Sequence, residues 1–368
     1  MVLNWTTAVG FAFLGVVLNV FTFSLVFRQF LRTKYRHFLL ISLDYLFLII
    51  ICFFETLGHL FAGDEYFELG KSLYVLSLYL GYIPTAFFTV LLSDSISRDS
   101  VDPIKLSITA ILATGFVFTS MDPNGVAIIE TNGEKFLFFT GSFGIFASSL
   151  VGLTMILWLY YNANIYRNAP KNLKSYAKIS FFGALLFFFG TLFAIIFRLN
   201  YIIPGIHRLP FDIGLLIIAI VFAKQPKLAF ILPFKASKIT VFNDNGIPLF
   251  THIWSTPDEL VEDALFTGML TGIGAVLSES LGKGNLREIQ LDQARLLLQR
   301  SEQFRVTCGL VATQSSQILR QSLNTFANRF FQDFSGNLAD LEIINPEDFA
   351  SASELVVECF PFVPEYYD

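Results

Sequence analysis

Charge is scarce in this chain. Asp, Glu, Lys and Arg make up 15% of its 368 residues, against about 25% in an average soluble domain. The deficit is uneven: up to about Ala223 the chain is a series of long apolar runs, and from about Lys235 onwards its composition is that of a soluble protein. Cysteine is also scarce. Cys52, Cys308 and Cys359 lie far apart, without metal-like spacing, which argues against a disulfide framework and a zinc site. No basic stretch interleaved with aromatics points to nucleic acid. No cationic segment precedes the first apolar run and no small-residue cleavage site follows it, so the run reads as a retained helix rather than a signal peptide.

What the chain has in quantity is hydrophobic length: 54% of its residues are hydrophobic, 43 of them Phe. A bilayer-spanning helix needs about 20 mostly apolar residues. Seven runs qualify as spans: Thr6–Phe27, His37–Phe61, Ser72–Ser93, Ile104–Ser120, Phe136–Tyr161, Ile179–Phe197 and the short Phe211–Ala223. One set of connecting loops holds Arg28, Arg32, Lys34, Arg36, Arg98, Lys105, Arg167, Lys171, Lys174, Lys178, Lys224, Lys227, Lys235 and Lys238. The other holds only Lys71, Lys135, Arg198 and Arg208, with Asp64, Glu65, Glu68, Glu130 and Glu134. The positive-inside rule makes the first set cytoplasmic. The N-terminus is then outside and the C-terminal region inside, as an odd number of spans also requires. The expected location is the cell membrane.

Ionisable residues inside a span are costly and mark function by default. Asp44, Glu55 and His59 fall on one face of the second span, with Glu55 and His59 near its outer end. Arg198, His207, Arg208 and Asp212 gather near the outer ends of the last two spans. Glu55, His59, Arg198, His207, Arg208 and Asp212 together suggest an outward-facing polar pocket for a ligand, with Asp44 deeper in the membrane. The same residues also read as interhelical glue, with the arginines snorkelling to the interface. Pro84 should kink its span. Gly141, Gly144, Gly183 and Gly190 favour close helix packing.

About 130 residues follow the last span. Ile239–Phe242 and Pro248–Trp254 are β-prone and flank Asn243-Asp244-Asn245-Gly246, a strong hairpin signal. Thr256, Pro257 and Glu259 make a helix-starting capping box. The helix should run to about Leu281, with Val261, Leu265, Met269, Ile273 and Val276 as its apolar stripe. Leu286–Leu291, Ala294–Gln299 and Phe304–Ala312 read as a strand meander. A helix from Ser315 or Ser316 to Phe334 and one over Pro346–Cys359 complete the region.

This ββαβββα order resembles the longin and roadblock group of small domains. The residues that carry the resemblance are Ile239-Thr240-Val241-Phe242, Ile247-Pro248-Leu249-Phe250, Leu265–Leu281 and Leu286–Ala312. The resemblance covers roughly the last third of the chain. It implies a five-stranded antiparallel sheet flanked by helices, homodimerisation and a small-GTPase partner. The spans resemble the seven-helix sensor region found ahead of some histidine kinases, through Leu78-Tyr79-Leu80-Gly81-Tyr82-Ile83-Pro84 and Phe211-Asp212-Ile213-Gly214. The joined arrangement resembles archaeal proteins that couple seven spans to such a domain. The expected architecture is an all-α membrane bundle of seven helices over residues 1–232 and a longin/roadblock-like α/β domain over residues 233–368.

Little points to catalysis. The last run lacks the lysine a retinal protein needs, and no Ser/His pair suits intramembrane hydrolysis. The tail is too short for a kinase core, and its one histidine, His252, falls on a strand. Gly282-Lys283-Gly284 lacks phosphate-loop spacing and reads as a helix stop. Asp258, Glu259, Glu262 and Asp263 suit a helix start. Cys308 reads as a small core residue. The expectation is a non-enzymatic receptor or scaffold, without metal or cofactor, sensing an outer or lipid-borne ligand. A transporter with a regulatory tail and a purely structural tether are the alternatives.

Overall fold

A computed structural model describes residues 3–33, 36–63, 65–95, 101–197, 199, 202–230, 235–254, 263–281, 286–292, 294–339, 346–360 and 363. The chain divides into two compact units, Met1–Ala229 and Phe230–Asp368.

The first unit is helical. It contains α1 (Thr7–Thr33), α2 (Arg36–Leu60), α3 (Phe67–Ser77), α4 (Ile83–Ser95), α5 (Pro103–Thr119), a hairpin of β1 (Val126–Thr131) and β2 (Glu134–Phe139), α6 (Gly141–Asn168), α7 (Lys174–Leu185), α8 (Thr191–Ile196) and α9 (Arg208–Lys224). A π-helical turn, Leu78–Tyr82, joins α3 to α4, and another, Leu186–Gly190, joins α7 to α8. Among the described residues, five continuous helical stretches are long and apolar enough to cross a bilayer: Thr7–Arg32, His37–Leu60, Phe67–Asp94, Gly141–Asn168 and Lys174–Ile196. Helices α5 and α9 have 17 residues each, or about 25 Å of helix.

This unit has its polarity reversed relative to a water-soluble bundle. Phe13, Val17 and Phe21 of α1 are more than half exposed, whereas Asn19 and Thr22 are 1% exposed. The same holds on α7 and the rod that continues it, where Phe182, Phe189 and Phe193 face outward and Ser180 and Thr191 are buried. An apolar exterior, with the polar side chains turned inward among buried apolar ones, suits hydrocarbon, where each internal polar group must find a partner in the protein. Small residues set the closest approach. A Cβ on Gly214 of α9 would stand 2.6 Å from the Gly183 carbonyl oxygen of α7.

Two expected spans change. Phe136–Phe139 belongs to β2, not to a helix, and α6 begins at Gly141. The cause is a two-residue turn at Asn132-Gly133, both with positive φ (53° and 79°), which pairs Thr131 with Glu134. That conformation is the type I′ hairpin turn that Asn-Gly prefers. At Pro84 the helix responds with the preceding π turn. The extra residue loosens the segment where proline can neither donate a hydrogen bond nor tolerate a close carbonyl.

The second unit is an α/β domain. Its elements are β3 (Ala236–Asn243), β4 (Pro248–Ile253), α10 (Asp263–Leu281), β5 (Glu288–Gln290), β6 (Arg295–Ser301), β7 (Val306–Ala312), α11 (Gln317–Asp333), α12 (Ser335–Ala339) and α13 (Ala352–Cys359), with a 3₁₀ turn over Pro346–Phe349. The five strands form one antiparallel sheet in the order β4-β3-β7-β6-β5. The β3–β4 turn is closed by Asn243, whose Oδ1 accepts from the Asn245 and Ile247 amides at 3.0 and 2.9 Å. Ser316 caps α11, accepting from the Leu319 amide at 3.3 Å.

Alternation along the strands supplies two apolar faces. Phe242, Leu296 and Leu298 pack with Leu270 of α10. Phe250 packs with Phe326 and Phe330 of α11. The expected stripe on α10 is the wrong one. Leu265, Met269, Ile273 and Val276 are 68, 55, 39 and 62% exposed, while Thr267 and Leu270 are buried. Thr267 fixes this rotation by donating to the Gly246 carbonyl at 2.5 Å. The helix is apolar on two faces, so periodicity alone does not select the buried one. Val261, the Thr256–Glu259 capping box, Asp258, Glu262 and Gly282-Lys283-Gly284 lie outside the described residues.

Candidate functional site

Helix α2 carries a buried polar line. Asp44, Glu55 and His59 are 1, 3 and 7% exposed, on the shared face their spacing implies. Around Glu55 the structure gathers side chains from α1, α2, α9 and the turn before α4. Arg208 pairs with Glu55, and Tyr82 donates its phenol hydrogen to Glu55 Oε1 at 2.9 Å. Arg208 Nη1 also reaches Cys52 Sγ at 3.1 Å. One turn further along α9, Asp212 Oδ1 accepts from Asn19 Nδ2 at 2.9 Å. Asn19 also donates to the Gly15 carbonyl at 2.8 Å.

Gly15 lets this cluster close. A Cβ there would stand 2.9 Å from Asp212 Oδ2 and 3.0 Å from Cys52 Sγ. Glu55, Arg208 and Asp212 therefore come together, as their sequence positions imply. The cluster holds two carboxylates and one guanidinium, knitted to neutral donors. Isolated buried charges would cost several kcal/mol each, and mutual pairing offsets that cost.

The other expected residues separate from this centre. His59 Nδ1 accepts from the Leu137 amide of β2 at 3.3 Å, and its ring lies 5.1 Å from that of Tyr74. His207 immediately precedes α9, and its carbonyl accepts from Thr191 Oγ1 at 3.5 Å. Arg198 lies outside the described residues. The β1–β2 hairpin closes over this end of the unit. Asn4 Nδ2 donates to the Lys135 carbonyl at 2.7 Å and to the His59 carbonyl at 3.1 Å. Glu134 accepts from the Thr7 amide at 2.9 Å, placing a carboxylate at the positive start of α1. Tyr74 stacks on Phe139 with centroids 4.7 Å apart.

Asp44 occupies a second centre, three turns along α2 from Glu55. Its Oδ2 accepts from Trp158 Nε1 at 3.0 Å, and Thr89 Oγ1 lies 3.3 Å from Oδ1. A third buried acid, Asp94, pairs with Lys105 and accepts from the Asp102 amide at 2.8 Å. The sequence reading missed Asn19, Cys52, Tyr82, Trp158 and Asp94. An asparagine within an apolar run is the one signal that would have pointed to Asn19.

Among the described residues, no group of three His, Cys, Asp or Glu is placed to hold a metal ion. Cys308 in β7 is fully buried, and burial pushes its thiol well above the ordinary range. The thiolate needed for nucleophilic chemistry is disfavoured there. Comparison of the chain with known protein families, curated proteins and solved structures gives no match.

Proposed function

We propose that this protein is a non-enzymatic membrane receptor or scaffold. In this reading all seven apolar segments span, α5 and α9 included, with the N-terminus outside and the α/β domain in the cytoplasm. The ligand side is the hairpin-covered end, where Glu55, Arg208, Asp212, His59 and His207 lie. The inner domain is longin/roadblock-like, a reading supported by its ββαβββα order and five-stranded antiparallel sheet. It passes the signal on by homodimerising or by binding a small GTPase.

The observation that carries the proposal is on α10. Leu265, Met269 and Ile273 form an exposed apolar stripe on a water-soluble domain. Contiguous apolar surface of this kind marks an interaction site. Gly268 and Gly272 lie on the same helix, and a Cβ at either would meet nothing within 4 Å, so a partner has a smooth surface to approach.

The test uses the full chain in nanodiscs. Mass measurement and binding to a panel of GTP-loaded small GTPases are compared for the native chain and for Leu265→Asp/Met269→Asp. Self-association or GTPase capture lost in the variant is the expected result. A native chain that stays monomeric and captures no GTPase overturns the proposal. The two π turns favour one competing reading, a small-molecule transporter with a regulatory tail, because carriers use interrupted helices. Substrate flux in proteoliposomes that is lost in Glu55→Gln would establish that reading instead.

A further inference from the structure

One face of α3 and of the π turn after it lines an open cleft at the hairpin end of the membrane unit. Glu68, Lys71, Ser72, Val75, Leu76 and Tyr79 follow one another along it at helical spacing. Ser120, just past α5, stands on the opposite wall. The cleft holds about 360 Å³, within the range of small-ligand sites, about 300–1,000 Å³. Its chemistry is graded along its length. Charge stands at the Glu68 end, the apolar Val75 and Leu76 come next, and the Tyr79 phenol closes the far end, about 16 Å along the helix. A charged head followed by an apolar stretch is the profile of an amphiphile.

The hydrogen bonds show what kind of head fits. A hydroxyl carries one hydrogen, and those of the cleft are spent inside the protein. Ser72 donates to the Glu68 carbonyl at 2.7 Å and Ser120 to the Val117 carbonyl at 2.7 Å. Tyr79, which meets Ser120 Oγ, then gives its hydrogen there. The cleft keeps lone pairs on three hydroxyls and the carboxylate of Glu68, which has no ion-pair partner among the described residues. Lys71 supplies the opposite charge. Its Nζ donates to the Pro123 carbonyl at 2.5 Å, which draws it toward the Ser120 wall and leaves two of its three hydrogens for a ligand. Two opposite charges thus stand at one end of the cleft without neutralising each other.

We propose that this cleft binds a phosphate ester bearing a primary ammonium, the phosphoethanolamine head of a membrane lipid. The phosphate lies on Lys71. The ammonium, with three N–H donors, meets the Glu68 carboxylate and the Ser72 lone pairs in charge-assisted bonds. A choline head has no N–H to give those acceptors, and a glycerol head brings no positive charge to Glu68. Val75 and Leu76 take the start of the lipid chain. The site is separate from the Glu55–Arg208 cluster and does not rest on the receptor reading.

The test is native mass spectrometry of the full chain released from detergent micelles. The chain is titrated with phosphatidylethanolamine, phosphatidylcholine and phosphatidylglycerol of identical chains. The ethanolamine lipid is expected to bind about tenfold more tightly than the other two, the worth of one charge-assisted contact. Lys71→Gln weakens its binding by a similar factor. Glu68→Gln, at an exposed position, removes the preference for ethanolamine over choline. Free phosphoethanolamine at equal concentration leaves the lipid in place. Its displacing the lipid would assign the cleft to a soluble zwitterion and overturn the lipid assignment. Equal retention of the three lipids, as in a bulk annular shell, overturns the proposal, as does a preference unchanged in Glu68→Gln. If Lys71→Gln does not fold, Glu68→Gln decides.

Discussion

Glu55 of α2 and Arg208 of α9 meet inside the helical unit, one 3% and the other 7% exposed. They lie 153 residues apart in sequence and join the second apolar segment to the last. Removing one partner leaves the other buried without its direct counter-ion. Glu55→Gln is expected to cost about 3 kcal/mol of stability, because buried Arg208 loses its direct carboxylate partner and keeps only Cys52 and the neighbouring Asp212. Glu55→Leu/Arg208→Met removes both charges and should recover most of that loss. Chemical denaturation in detergent micelles compares the two. If the double variant is as unstable as the single, the pair is not the source of the effect.

The hairpin over the same end depends on its turn. Gly133 has φ of +79°, which a β-branched residue adopts only under strain, roughly 1–2 kcal/mol. Gly133→Val should loosen β2 and release the Leu137 amide from His59. Hydrogen exchange at Leu137 then speeds up, while Gly133→Asn, which tolerates that φ, stays close to native. Unchanged exchange in Gly133→Val would show that the turn does not hold the hairpin down.

Cys308 gives a pH-dependence in the α/β domain. Burial raises its folded thiol above the ordinary value of 9.0, so the unfolded chain releases that proton first as pH rises. The stability tied to the neutral thiol is complete below the ordinary value and falls as pH climbs toward the folded one. The slope is at most about 1.4 kcal/mol per pH unit. Denaturation from about pH 7 to about pH 11 should show this decline in the native chain, and a flatter profile in Cys308→Ala. Parallel profiles would assign the alkaline loss to other groups.

Much of the α/β domain is written locally. Asn243 and Gly246 announce the β3–β4 turn, and Ser316 announces α11, because turn and cap chemistry is decided within a few residues. The same Asn-Gly signal at Asn132-Gly133 was hidden by its setting, since Phe136–Phe139 runs on into an apolar helix and reads as part of it. The face of α10 was not legible because both of its sides are apolar, and Thr267 chooses between them through a bond to a distant turn. In the membrane unit, Asp44, Glu55, Arg208 and Asp212 declared themselves as charges in apolar runs. Their neutral partners, Asn19, Cys52, Tyr82 and Trp158, did not, because ordinary residue types acquire a role there only through tertiary placement. The α9 helix shows the same limit. Its apolar run looks short from Phe211, and the buried Arg208 extends it by most of a turn once a partner neutralises it.

The π turn at Leu78–Tyr82 makes the rod from Phe67 to Ser95 two helices in series with a phase offset. One inserted residue rotates everything beyond it by about 100°. On one side of the offset Tyr74 meets the hairpin, and on the other Thr85 and Thr89 meet Asp44. The two ends of the rod are thus clocked independently, with Tyr82 at the joint. Straightening that joint into ordinary α-helix would turn one end against the other like a key, converting a movement under the hairpin into a twist at Asp44.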